Sequence, residues 1–156
     1  TAYRRQRQMC IRDSSYYNGD FIALEKAHLN KGWKLVDNWH PDNKAGKRNS
    51  FVDVPMLEAT RPGDRLTLDF RGKAIGIFCV SGPSAGILEY SVDGAPFKEL
   101  DTFTEWSHNL YIPWVYMLET ELKDTDHKLV LRISKKKNPA SQGTECQIRN
   151  FVVNGR

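Results

Sequence analysis

The pattern of apolar and polar residues is mostly that of strands. Residues 65–70 alternate strictly: Leu66, Leu68 and Phe70 point one way, and Arg65, Thr67 and Asp69 the other. This is a strand with one face buried. Pro62-Gly63-Asp64 before it and Arg71-Gly72 after it are turn signals. Residues 73–80 are almost continuously apolar and suit a strand covered on both sides, with Ile75 and Ile77 inward. A loop, Gly82-Pro83-Ser84-Ala85-Gly86, leads to a strand at 87–92 that ends on Val92. Asp93-Gly94 then predicts a hairpin, with residues 97–100 pairing back. Residues 126–133 form another strand, with Leu129, Leu131 and Ile133 inward, and residues 146–153 close the domain with Ile148 and Phe151 inside.

Before residue 65 the signals are weaker. Residues 21–24 and 33–36 read as short strands, and a helical turn fits within 24–29. Residues 38–50 read as a polar loop, and 51–54 as a short strand stopped by Pro55. No long amphipathic helix and no internal repeat is visible. Short strands with turns every 8–12 residues predict an all-β chain: a single antiparallel β-sandwich, jelly-roll-like, over residues 15–156.

Charge changes the picture at the N-terminus. The net charge is +4, but Arg4, Arg5, Arg7 and Arg12 against Asp13 place three of those four charges in the first fourteen residues. The remainder is nearly neutral, which removes the main reason to expect a nucleic-acid partner. Met9-Cys10-Ile11-Arg12-Asp13-Ser14 resembles the translation of a transposase-type sequencing adapter, so residues 1–14 are expected to be an artefactual or disordered tail. No apolar run reaches the ~20 residues of a membrane span. Asn154-Gly155 predicts a further turn, with the native chain continuing beyond it. Of the three cysteines, Cys79 and Cys146 lie in apolar runs, and a disulfide between them requires that their strands be neighbours.

Candidate chemistry is sparse. Gly82-Pro83-Ser84-Ala85-Gly86 fits the G-x-S-x-G nucleophile elbow, and Asp93 or Asp101 followed by His108 or His127 supplies a Ser–Asp–His order. The elbow requires a helix after the serine, whereas an alternating strand follows here, and Pro83 restricts the turn. No histidine pair has zinc-ligand spacing and no EF-hand pattern occurs; Asp37, Asp42, Asp53, Asp93 and Asp101 could offer oxygen to calcium, but most of them suit turns. No cofactor and no metal site is predicted. The region 101–116 is aromatic without a clean period, and Pro113 interrupts it. It is expected to form a long loop or short strands at one edge, with at least one of Trp106, Tyr111 and Trp114 exposed. With His108, and with Trp39 on another loop, these rings have three readings: core filler under a loop, an interface with another domain, or a sugar-stacking surface.

Several stretches carry a resemblance: Gly32-Trp33-Lys34, residues 51–57, Gly82-Pro83-Ser84-Ala85-Gly86, and Glu89-Tyr90-Ser91-Val92-Asp93-Gly94. Residues 103–107, Leu110-Tyr111-Ile112-Pro113-Trp114 and Lys137-Asn138-Pro139-Ala140-Ser141 continue it. From about residue 16 to 154 the chain resembles the β-sandwich domain C-terminal to the catalytic domain in bacterial SGNH/GDSL-type hydrolases. The resemblance implies a jelly-roll-like accessory domain, secreted or periplasmic, whose partner is a catalytic SGNH domain of the same parent chain, with glycan as a further contact. The family's Gly-Asp-Ser, oxyanion and Asp-x-x-His blocks are absent from this sequence, so no catalytic role is carried over. The expectation is a non-catalytic accessory module of a carbohydrate-active esterase. The alternatives are a stand-alone carbohydrate-binding module and a small serine hydrolase using Ser84.

Overall fold

A computed structural model describes residues 19–154. The tail at 1–14, Cys10 and the expected turn at Asn154-Gly155 fall wholly or partly outside the described residues. Eleven strands run in order: β1 Gly19–Ile22, β2 His28–Lys31, β3 Lys34–Trp39, β4 Val54–Ala59, β5 Arg65–Gly72 and β6 Ala74–Ser81, then β7 Ile87–Val92, β8 Lys98–Asp101, β9 Ile112–Glu119, β10 Thr125–Ile133 and β11 Cys146–Asn154. Three short 3-10 turns, at Leu24–Lys26, Asn49–Phe51 and Glu105–His108, are the helical elements among the described residues. None is long and apolar enough to cross a membrane.

The first sheet has the order β3-β4-β11-β6-β9, with β1 also paired to β11, and the second has the order β2-β5-β10-β7-β8. All the pairings are antiparallel. Strands β4 to β11 pass between the two sheets in the manner of a jelly-roll sandwich. The period-two alternation explains the core. Leu66, Leu68 and Phe70 of β5 stand opposite Leu131, Leu129 and His127 of β10, and cross-strand partners share a face. All the predicted core positions (Leu66, Leu68, Phe70, Ile75, Ile77, Val92, Leu129, Leu131, Ile133, Ile148 and Phe151) are buried.

Two local readings are corrected. Residues 51–54 are not a strand: Asn49–Phe51 is a 3-10 turn and Asp53 takes a left-handed φ of 56°. The strand begins at Val54 and continues through Pro55, which lies where the β3–β4 register shifts and before the pairing with β11 starts at Leu57. Likewise Pro113 does not interrupt a ladder. It is the second residue of the eight-residue strand β9, which pairs only with β6 among the described strands, so its missing N–H can lie on the open edge. The helical turn expected within 24–29 is the 3-10 turn Leu24–Lys26, and strand β2 follows it at His28–Lys31, paired with β5.

The polar loop at 38–50 proves part of a second cluster. Trp39, Met56, Val80 and Tyr111 are buried together, with Ala45, Phe51 and Val52 packed against them. Phe51 meets Phe78 edge-on, with ring centroids 5.4 Å apart. Met56 and Val80 alternate with Leu57 and Cys79, which belong to the inter-sheet core. This second cluster therefore covers the outer face of the first sheet. Cys79 and Cys146 lie on neighbouring strands as buried free thiols, and burial pushes the Cys79 thiol up to about 12.

Candidate functional site

The outer face of the first sheet carries a polar row. Lys34, Glu58, Gln147, Val80 and Pro113 are successive cross-strand partners. Glu58 and Gln147 thus project on the same face as the second cluster. They form the floor of a cleft of about 550 Å³, walled by Trp39, Tyr111, His40, Asn43 and Glu145. Ser84 contributes from the β6–β7 loop.

The hydrogen bonds fix this floor. Trp39 Nε1 donates to Glu58 Oε2 at 3.0 Å. Gln147 Nε2 donates to the same oxygen at 3.1 Å and to Glu145 Oε2 at 3.3 Å. One buried amide therefore ties two carboxylates together. Burial raises the Glu145 pKa above the ordinary carboxylate value; the Gln147 hydrogen bond opposes this and the charge on Glu58 reinforces it. Tyr111 is also raised, first by burial, against the Asn43 hydrogen bond and with the help of Glu145 and Glu58. Asn43 Nδ2 donates to the Tyr111 hydroxyl at 2.7 Å. No lysine or arginine lines the cleft. Lys34, the register partner of Glu58, is exposed and outside the lining.

The structure sorts the five sequence-predicted residues into two places. Trp39 and Tyr111 come together, edge to face with centroids 5.3 Å apart, and both are buried. Trp106 and His108 lie on the 3-10 turn before β9, and Trp114 lies on β9 itself. None of these three lines the cleft. Trp106 is 66% exposed and Trp114 55%. His108 packs edge-on against Phe103 at 5.0 Å. The turn is closed by a capping box between Thr104 and Ser107. Trp114 stands opposite Cys79, hence on the face turned toward the second sheet, but at its open edge. Val115, on the other face of β9, is also exposed.

The cleft residues Glu58, Glu145 and Gln147 carry no motif. The available signal was a polar residue inside each of two apolar strands, and its meaning depends on β4 and β11 being paired in that register.

The loop 82–86 does not form a nucleophile elbow. Strand β7 follows it, and backbone bonds from Glu145 to Ser84, Gly86 to Glu145, and Gln142 to Pro83 strap it to the β10–β11 loop. No histidine nitrogen bonds Ser84 among the described residues. Asp93 and His127 do pair, at 2.5 Å, but the other ring nitrogen faces the Lys123 carbonyl at 2.8 Å. That pair also sits beyond the far end of the six-residue β7, about 20 Å of strand away from Ser84. Of the acids weighed for calcium, Asp53 meets His40 and Asp101 meets Phe103 N and Asn138. No group of three or more potential metal ligands gathers among the described residues.

No protein-family model matches the sequence, and comparison with curated proteins finds none similar. Among solved structures the chain is similar to a two-domain esterase active on acetylated mannans, co-crystallised with mannopentaose. The TM-score is 0.67 at 16% identity, covering 92% of this chain and 38% of that one. A family two carbohydrate esterase from Cellvibrio japonicus gives 0.52 at 12% identity, covering 89% and 34%. The CBM36-1 domain of a multidomain xylanase from the hindgut metagenome of Trinervitermes trinervoides gives 0.50 at 8% identity, covering 89% of this chain and 98% of that domain. At these identities the likeness establishes the β-sandwich fold. The chain spans little more than a third of either esterase.

Proposed function

We propose that this chain is a non-catalytic accessory module of a carbohydrate-active SGNH/GDSL-type esterase, secreted or periplasmic, that packs on the catalytic domain and contacts glycan. The observation that carries this reading is the pattern of coverage. Nearly the whole chain corresponds to a domain-sized part of an esterase acting on acetylated mannans, and also to one entire module of a xylanase. The Ser84 hydrolase reading has little support, because no base and no acid partner assembles on that serine.

The two surfaces suit two partners. Strand β9 is an eight-residue edge that displays Trp114 and Val115 to solvent. A long apolar edge is an aggregation hazard unless something covers it. We assign this edge, with Trp106 beside it in sequence, to the catalytic domain. The cleft, with its mixed carboxylates, amides and ring walls, has the composition of a small-ligand pocket and is assigned to glycan.

The test removes the module from its parent enzyme. Turnover of acetylated polysaccharide is expected to fall, while turnover of p-nitrophenyl acetate is retained, and the chain alone should hydrolyse neither. Unchanged polysaccharide turnover, or esterase activity of the chain alone that vanishes in Ser84→Ala, contradicts the proposal.

A further inference from the structure

The cleft on the outer face of the first sheet has a specific chemical bias. Its floor presents two carboxylates, Glu58 and Glu145, with Asp42 at the rim, and no lysine or arginine. Its one basic side chain, His40, is turned to Asp53 at 3.1 Å. We propose that this cleft reads the hydroxyl groups of a neutral saccharide and rejects uronate and other anionic sugars. The inference rests on the glycan-directed reading above and deepens it.

Three features favour this ligand. A carboxylate has about four acceptor positions, and the Trp39 and Gln147 donors both occupy Glu58 Oε2, so capacity remains for ligand hydroxyls. Hydroxyl-to-carboxylate bonds are charge-assisted and about twice as strong as neutral ones. Gln147 is only 3% exposed, and its amide holds both carboxylates in fixed positions, so the acceptors are set before the ligand arrives.

The walls explain what the cleft does not do. Trp39 and Tyr111 are almost wholly buried, so neither offers a broad open face for stacking. Recognition falls to the polar groups instead. The Tyr111 hydroxyl, Ser84, Asn38, Asn43 and Gln147 add groups that both donate and accept, matching a sugar hydroxyl that does the same. An anionic sugar would meet like charge without a compensating cation, and such juxtapositions cost enough for at least about a hundredfold loss of affinity.

The four tryptophans make the test direct, because Trp33 is in the core, Trp39 is at the cleft and Trp106 and Trp114 lie outside it. The 15N-labelled chain is titrated with mannopentaose, cellopentaose and xylopentaose, and with a galacturonate oligomer. At least one neutral oligosaccharide should move the Trp39 indole and Gln147 side-chain amide signals and leave those of Trp33, Trp106 and Trp114 in place. The galacturonate oligomer should bind at least about a hundredfold more weakly. Glu58→Gln should weaken neutral binding about tenfold and narrow the gap to galacturonate. Asn43→Ala, at an exposed loop position, should also weaken it. Galacturonate binding as tight as neutral binding overturns the inference, as does neutral binding that ignores both variants. Signals moving at Trp106 or Trp114 instead sink the cleft assignment but keep glycan contact. Silence from every sugar sinks both, and leaves the accessory role to be judged by the enzyme comparison above.

Discussion

The Trp39–Tyr111 pair and the Trp106–Trp114 pair are equally aromatic, but the fold treats them oppositely. The first pair is locked into the outer face of the first sheet: the indole is hydrogen-bonded to Glu58 and the phenol to Asn43. The second pair is left largely in solvent, on a short turn and an edge strand. The difference lies in what surrounds each ring. Strands β4, β11 and β6 supply Met56, Gln147 and Val80 beneath the first pair. Strand β9 has a neighbour on one side only. An aromatic residue with polar partners and neighbours on all sides is fixed in place; one on an open edge is left in solvent.

Replacing each ring measures how much of it the fold uses. Tyr111→Ala empties a buried position and should cost about 3–5 kcal/mol in urea denaturation. A cost near zero would make Tyr111 no more structural than the edge rings and erase the contrast. Trp39→Phe keeps the ring and deletes the donor to Glu58. Leaving a partly buried carboxylate short of a partner should cost about 1–3 kcal/mol. Much less than this would mean that Gln147 alone satisfies Glu58, and the cleft floor would be looser than drawn here.

The far end of the sandwich serves as a control, through pH. Burial disfavours the charged His127 ring, but the Asp93 hydrogen bond and the Lys123 carbonyl together outweigh this and raise its pKa above 6.5. Asp93 is lowered by the His127 hydrogen bond and by the Lys128 N–H. The histidine's contribution is therefore complete below its unfolded value and lost as pH rises through the folded one. The aspartate's contribution is present above its unfolded value and lost as pH falls through the folded one. Melting temperature should peak in the mildly acidic range and decline as pH rises above 6.5. His127→Gln should flatten the upper limb without moving the cleft signals. A wild-type melting temperature constant across that limb removes the clasp. The smallest effect belongs to the edge: Trp106→Ala and Trp114→Ala should each change stability by less than about 0.5 kcal/mol. A larger loss at Trp114 would return that ring to the core.

The inter-sheet core could be read directly because alternation is local: Leu66, Leu68 and Phe70 declare their face without reference to any other strand. The cleft could not be read in this way. Glu58 and Gln147 become neighbours only through the pairing of β4 with β11, 89 positions apart in sequence. The loop at 38–50 reads as merely polar because Ala45 is isolated in it, and Phe51 and Val52 read as a strand, yet all three pack on the outer face. Pro55 and Pro113 concealed two strands for the same reason. A proline forbids a central ladder but not an edge or an irregular register, and which of these applies depends on the neighbouring strands. Among the aromatic candidates, exposure somewhere in the segment 101–116 was foreseen. Which rings would be exposed depended on the position of β9 in the sheet.

Whether the edge and the cleft serve different partners is most directly tested by calorimetric titration of this chain with a separately expressed SGNH domain, the partner proposed for the edge. The edge assignment predicts association that weakens at least about tenfold in Trp114→Ala, a loss of the size expected for a buried aromatic anchor, and that is unchanged in Glu58→Gln. No association, or association that depends on Glu58 and ignores Trp114, would contradict it.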